Sequence, residues 1–102
     1  MRKNVSTSSS RASGISFAVQ VWKEGKAYVA YAPDLDVSSC GDSVREAKSR
    51  LREAVELFLQ EAARMGTLAE ILSEAGFEKR GTIFRPRRIL VREKIHLAVP
   101  AA

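Results

Sequence analysis

Four carboxylates fall close together in the chain, at Asp34, Asp36, Asp42 and Glu46. Carboxylates that converge in space can hold paired divalent ions about 4 Å apart and drive metal-assisted hydrolysis. Their local settings point to other duties. Asp34 and Asp36 flank Leu35 directly after Pro33, a composition that makes a turn. Asp42 and Glu46 bracket the start of a helical pattern, where carboxylates cap backbone N–H groups. Cys40 is the only cysteine and His96 the only histidine. One cysteine makes neither an internal disulfide nor a paired-cysteine metal site. His96 lies in an alternating, strand-like run far from Cys40, so no Cys-His pair is in view. Cys40 reads as a small, partly buried thiol. No catalytic, cofactor-binding or metal-binding residue is expected, and the chain reads as a binding module rather than an enzyme.

The second kind of chemistry in the sequence is charge. The net +5 is unevenly placed. Residues 1–11 hold three Lys/Arg and no acid, whereas residues 12–78 hold seven Lys/Arg against eleven Asp/Glu. Residues 79–94 hold seven Lys/Arg against Glu93 alone. An acidic body thus carries basic ends, which is not the uniform basic face of a nucleic-acid-binding domain. Arg85, Arg87, Arg88 and Arg92, with Lys94, are candidate phosphate contacts. No aromatic platform is interleaved with them, although Tyr28 and Phe84 are stacking candidates. The competing reading is a solvated edge whose charges discourage sheet-to-sheet association.

The elements that must position these residues follow from periodicity. With 102 residues the chain fits one domain. Residues 1–14 (MRKNVSTSSSRASG) have no periodic apolar residues and read as a disordered segment. They also lack the apolar stretch of a signal peptide. No run approaches the roughly 20 apolar residues of a membrane span, so no membrane contact is expected and the location reads as cytoplasmic. From Ile15 to Trp22 apolar residues alternate, as in a half-buried strand. A turn at Glu24-Gly25-Lys26 leads to a second strand over residues 27–32. Pro33 ends it, Asp34-Leu35-Asp36 makes the bend, and Val37 to Cys40 is a short third strand.

Ser43, answered by Glu46, forms a capping box. Val44, Ala47, Leu51, Ala54, Val55, Phe58, Leu59 and Ala62 then make one helical stripe, which Gly66 stops. Thr67 to Glu70 is a second capping box, opening a short helix that ends at Gly76. Thr82 to Phe84 reads as a strand, Arg85 to Arg88 as a charged turn or edge, and 89–91 and 95–99 as extended. The expected fold is α+β and two-layered. A βββα core over 15–65 packs an antiparallel sheet on one long helix, and 66–102 adds a short helix and basic C-terminal strands, all one domain over 15–102. Trp22, Val29 and Tyr31 fall on the sheet's far face, as single exposed residues or as part of a partner or dimer surface.

The ordered series of residues resembles a known family. Phe17–Trp22 with Lys23-Glu24-Gly25 is followed by Tyr28-Val29-Ala30-Tyr31 and Pro33-Asp34-Leu35. Then come Val37, Cys40-Gly41-Asp42-Ser43, Glu46-Ala47 and Leu51-Arg52-Glu53-Ala54. The string YVAYAPDLDVSSCGDSVREAKSRLREAVELFL is similar to the HicB-like antitoxins throughout, over residues 17–60. The resemblance implies a partial RNase H-like fold, βββα with further elements. It also implies binding and occlusion of a small, basic, mRNA-cleaving toxin of the HicA type. An RNase H-like fold would place a central carboxylate on the first strand, and Ile15 to Trp22 offers none. Many members add a ribbon-helix-helix or helix-turn-helix domain. Residues 67–102 give neither order of elements, so no standard DNA-binding domain is expected.

The acidic body suits a basic partner, since opposite potentials steer association. Trp22, Tyr31, Asp34 and Asp36 are the candidate partner-binding residues. Three functions stand side by side: an antitoxin-like module, a stand-alone oligomer of the same fold, and a small nucleic-acid-binding protein using the basic tail. A homo-oligomer, dimer or tetramer, is expected under each.

Overall fold

The computed structural model describes residues 14–101. The expectation of a disordered N-terminal segment falls on residues 1–13, outside that range, while Gly14 belongs to a strand. Eight elements follow in order: β1 (Gly14–Ile15), β2 (Gln20–Glu24), β3 (Ala27–Ala32), β4 (Val37–Gly41), α1 (Val44–Arg64), α2 (Leu68–Glu74), β5 (Glu78–Arg80) and β6 (Ile83–Arg85). The fold is α+β, with the three-stranded antiparallel sheet β2-β3-β4 packed on the long helix α1.

The central hairpin forms because Gly25, at φ +63°, takes a left-handed turn that pairs Glu24 with Ala27. The bend from Pro33 to Asp36 is closed by the Leu35 and Asp36 N–H groups, which both donate to the Ala32 carbonyl. Asp36 sits at φ +56°, a conformation that Asp tolerates better than most residues. The α1 cap starts at Ser43 as the spacing suggests, but Glu46 answers one residue earlier than in a capping box. Ser43 Oγ accepts from Glu46 N at 3.0 Å, and the Glu46 carboxylate reaches back to Asp42 N.

Small residues set the distance between layers. Ala30, Ala32 and Ala47 are wholly buried, so helix and sheet backbones approach closely. At Gly41 a Cβ would lie 2.8 Å from Ala47 N, and only glycine fits there. Leu51, Val55 and Leu72 fill the interior, with Leu35 and Phe77 sealing its ends. Full burial of each such side chain contributes about 1.5–3 kcal/mol.

Several expectations are corrected. Val44 is exposed, because the first residue of α1 lies outside the face that meets the sheet. Thr67 caps no N–H of α2; its hydroxyl donates to the Ala62 carbonyl instead. The expected strand from Ile15 to Trp22 is two strands. Its start pairs in parallel with β6, its end pairs antiparallel with β3, and residues 16–19 cross between the two sheets. β5, unforeseen, supplies β6 with an antiparallel partner through the turn at Gly81. The C-terminal strands expected at 89–91 and 95–99 do not form. Residues 87–101 are exposed and belong to no sheet, because no described strand pairs with their backbone. The longest dimension is 68 Å, and the radius of gyration of 17.7 Å exceeds the roughly 12 Å of a compact chain this long.

Candidate functional site

Three surfaces carry the residues of interest. The first is the face of β2-β3-β4 that turns away from α1. Strand alternation puts Ala30 and Ala32 under the helix and leaves Val29 and Tyr31 on the opposite side. The register then sets Trp22 and Cys40 on either side of Val29. Trp22 and Tyr31 meet edge to face with centroids 6.2 Å apart. Trp22 Nε1 donates to Glu24 Oε1 at 3.2 Å and the Tyr31 hydroxyl donates to Asp36 Oδ1 at 2.9 Å. Each aromatic polar tip is thus tied to a rim carboxylate. The bond to Asp36 raises the Tyr31 phenol above its ordinary 10.0, helped by partial burial and the adjacent negative charge. Trp22 remains 42% exposed. Cys40, expected partly buried, is exposed, because it lies on the face of β4 that turns away from α1. The result is an apolar, aromatic patch with an acidic rim.

The second surface is a groove where the C-terminal segment leaves the domain. Arg80, Arg85, Arg87 and Arg92 line it, together with Pro33 and Asp34. Asp34 Oδ2 accepts from Ala18 N at 3.3 Å, which anchors the crossing segment. Arg80 donates to the Pro86 carbonyl at 2.9 Å. The Arg87 guanidinium lies against Gly76, where a Cβ would overlap it.

The expected partner-binding set is therefore split. Trp22, Tyr31 and Asp36 share the aromatic face, while Asp34 belongs to the arginine groove. Of the five expected phosphate contacts, Arg85, Arg87 and Arg92 converge, whereas Arg88 and Lys94 do not line the groove. Arg80 joins them unforeseen, because it arrives on β5. Glu24 and Cys40 were also missed, yet the turn lengths on either side of β3 contain the register that places them. Tyr28 and Phe84 serve no stacking platform; each sits near a lysine, Lys23 and Lys79, at 5.7 Å from ring centroid to Nζ.

The third surface is an apolar trough beside α1. Ile15, Phe17 and Val19 form one wall and Leu51, Val55 and Leu59 the other. Arg45, Lys48, Arg52 and Glu56 stand at its rim. Among the described residues no group of three or more His, Cys, Asp or Glu side chains could hold a metal ion, and no helix is long and apolar enough to cross a membrane. Comparisons with known protein families, with curated proteins and with solved structures find nothing that matches this chain.

Proposed function

We propose that the chain is an antitoxin-like binding module whose aromatic sheet face docks a small, basic, HicA-type nuclease and covers its active site. The observation that carries this reading is the Trp22–Tyr31 pair, uncovered by α1 and rimmed by Glu24 and Asp36. Aromatic anchors ringed by charge are the usual centre of a protein-binding surface. An acidic rim speeds encounter with a basic partner and turns away acidic ones. The HicB-like residues fall in sequence on β2, β3, the Pro33 turn, β4, the Ser43 cap and α1. That order suits the partial RNase H-like fold that the resemblance implies, and a cytoplasmic setting goes with an mRNA-cleaving partner.

Coexpression with a HicA-type toxin tests this. The expected result is a stable complex and rescue from growth arrest, both lost on Trp22→Ala with Asp36→Lys. Toxicity unrelieved by the intact chain, with no complex formed, removes the reading.

A second reading has its own support. Four arginines in one groove make a site for a nucleic-acid backbone. It predicts RNA or DNA binding that weakens steeply with salt, with a shallower salt slope after Arg85→Ala and Arg87→Ala. Binding that ignores those changes excludes it.

A further inference from the structure

The C-terminal segment has an amphipathic pattern without a surface to use it on. Ile89, Val91, Ile95, Leu97 and Val99 fall on one side of an extended strand, interrupted by Glu93 alone. Leu90, Arg92, Lys94 and His96 fall on the other. Ile89, Leu90, Val91, Ile95, Leu97 and Val99 are 58–89% exposed. The exit of this arm is fixed by the Arg80–Pro86 hydrogen bond and by Arg87 seated on Gly76.

The domain has a site that matches both sides of such a strand. Among the described residues β2 pairs only with β3, which leaves its outer edge unpaired. Beside that edge, on the α1 side, lies the trough of Phe17, Val19, Leu51 and Val55, with Arg45, Lys48 and Arg52 at its rim. On the other side stands Glu24. A strand laid along this edge would turn its apolar side into the trough and set Glu93 among the rim cations. Its basic side would face Glu24. Backbone pairing along an open edge is a standard way for an extended segment to dock.

We propose that the arm, residues 89–99, docks on the β2 edge and trough of a second copy of this chain, and that the exchange is reciprocal. Each copy holds one arm and one receiving edge, so two copies close on each other with twofold symmetry. An eleven-residue strand is about 36 Å long. Two of them, each covering one trough, bury on the order of the 1,200–2,000 Å² of a stable interface. The trough lies on the α1 side of the sheet, away from the aromatic face, and the arm would meet that face only at Glu24 on its rim.

The test measures mass in solution by light scattering. The intact chain is expected to be a dimer. A chain ending at Arg88, and the arm variant Leu97→Asp with Ile95→Asp, are expected to be monomers that keep the helical circular dichroism of α1 and the thermal transition of the folded domain. Position is tested by mixing two Cys40→Ser chains, one with Val19→Cys and one with Leu97→Cys. A disulfide joining the two different chains is expected under mild oxidation. A monomeric intact chain, or a dimer that survives loss of the arm, overturns the proposal. So does a Val19→Cys, Leu97→Cys double variant that closes its disulfide only within one chain.

Discussion

The Tyr31 hydroxyl donates to Asp36 Oδ1 at 2.9 Å, so the end of β3 is tied to the residue of the following turn whose backbone is left-handed. The bond joins a ring on the aromatic face to the bend that holds that face's acidic rim. Its pH behaviour follows from the charge it would have to accept. The folded chain holds the Tyr31 proton more tightly than the unfolded chain does. This contribution to stability is full below the ordinary phenol value of 10.0 and is lost as pH rises through the higher folded value. Ultraviolet difference titration should give Tyr31 a midpoint above 10.0 that drops on Asp36→Asn. An unchanged midpoint in that variant contradicts the assignment.

Ser43→Ala removes the hydroxyl that accepts from Glu46 N. The expected loss is about 1 kcal/mol, within the range of 0.5–2 for N-caps. Glu46→Ala should overlap with it rather than add fully, because the two side chains close the same helix start from opposite directions. Urea melts of the two single variants and the double variant measure the coupling.

Leu51 and Leu57 lie on opposite sides of α1, at 1% and 66% exposure. Leu51→Ala should destabilise by about 2–5 kcal/mol, enough to threaten folding of so small a domain. Leu57→Ala should stay within about 0.5 kcal/mol of the parent. Similar losses at both sites would place the helix the wrong way round.

Gly76→Ala meets two obstacles, a φ of +94° and the Arg87 guanidinium. It should cost more than about 1 kcal/mol. Arg87→Ala in the same chain should recover only the steric part and leave the backbone strain. Full recovery would mean that φ plays no part.

Much of this was legible before any coordinates. The Gly25 turn, the Pro33 bend and the Ser43 cap are local, and local chemistry fixes them. The stripe of α1 was legible for the same reason, since its period repeats every turn. The far face was legible as Trp22, Val29 and Tyr31 because strand parity alone assigns it. What escaped depends on pairing between distant residues. Ile15 to Val21 keeps perfect alternation, yet hydrogen bonds to β6 at one end and β3 at the other divide it. β5 has the sequence Glu78-Lys79-Arg80, which carries no apolar alternation and is a strand only because β6 folds back on it. Asp34 and Asp36 looked equivalent in sequence. A tight bend sends neighbours two apart in different directions, and only coordinates show which way each points.

The parallel pair that joins Gly14 to Ile83 spans nearly the whole described chain. Closing so long a loop is entropically expensive, whereas the β2–β3 hairpin closes through two residues. Assembly should therefore run from the centre outward, with the β1-β6-β5 sheet among the last parts to form. Stopped-flow kinetics check this order. Ile83→Val should speed unfolding and leave the refolding rate nearly unchanged, while Val55→Ala should slow refolding. Until that late sheet closes, the nascent domain holds its helix against the central three strands alone, and the arginines of its last third have no groove to enter.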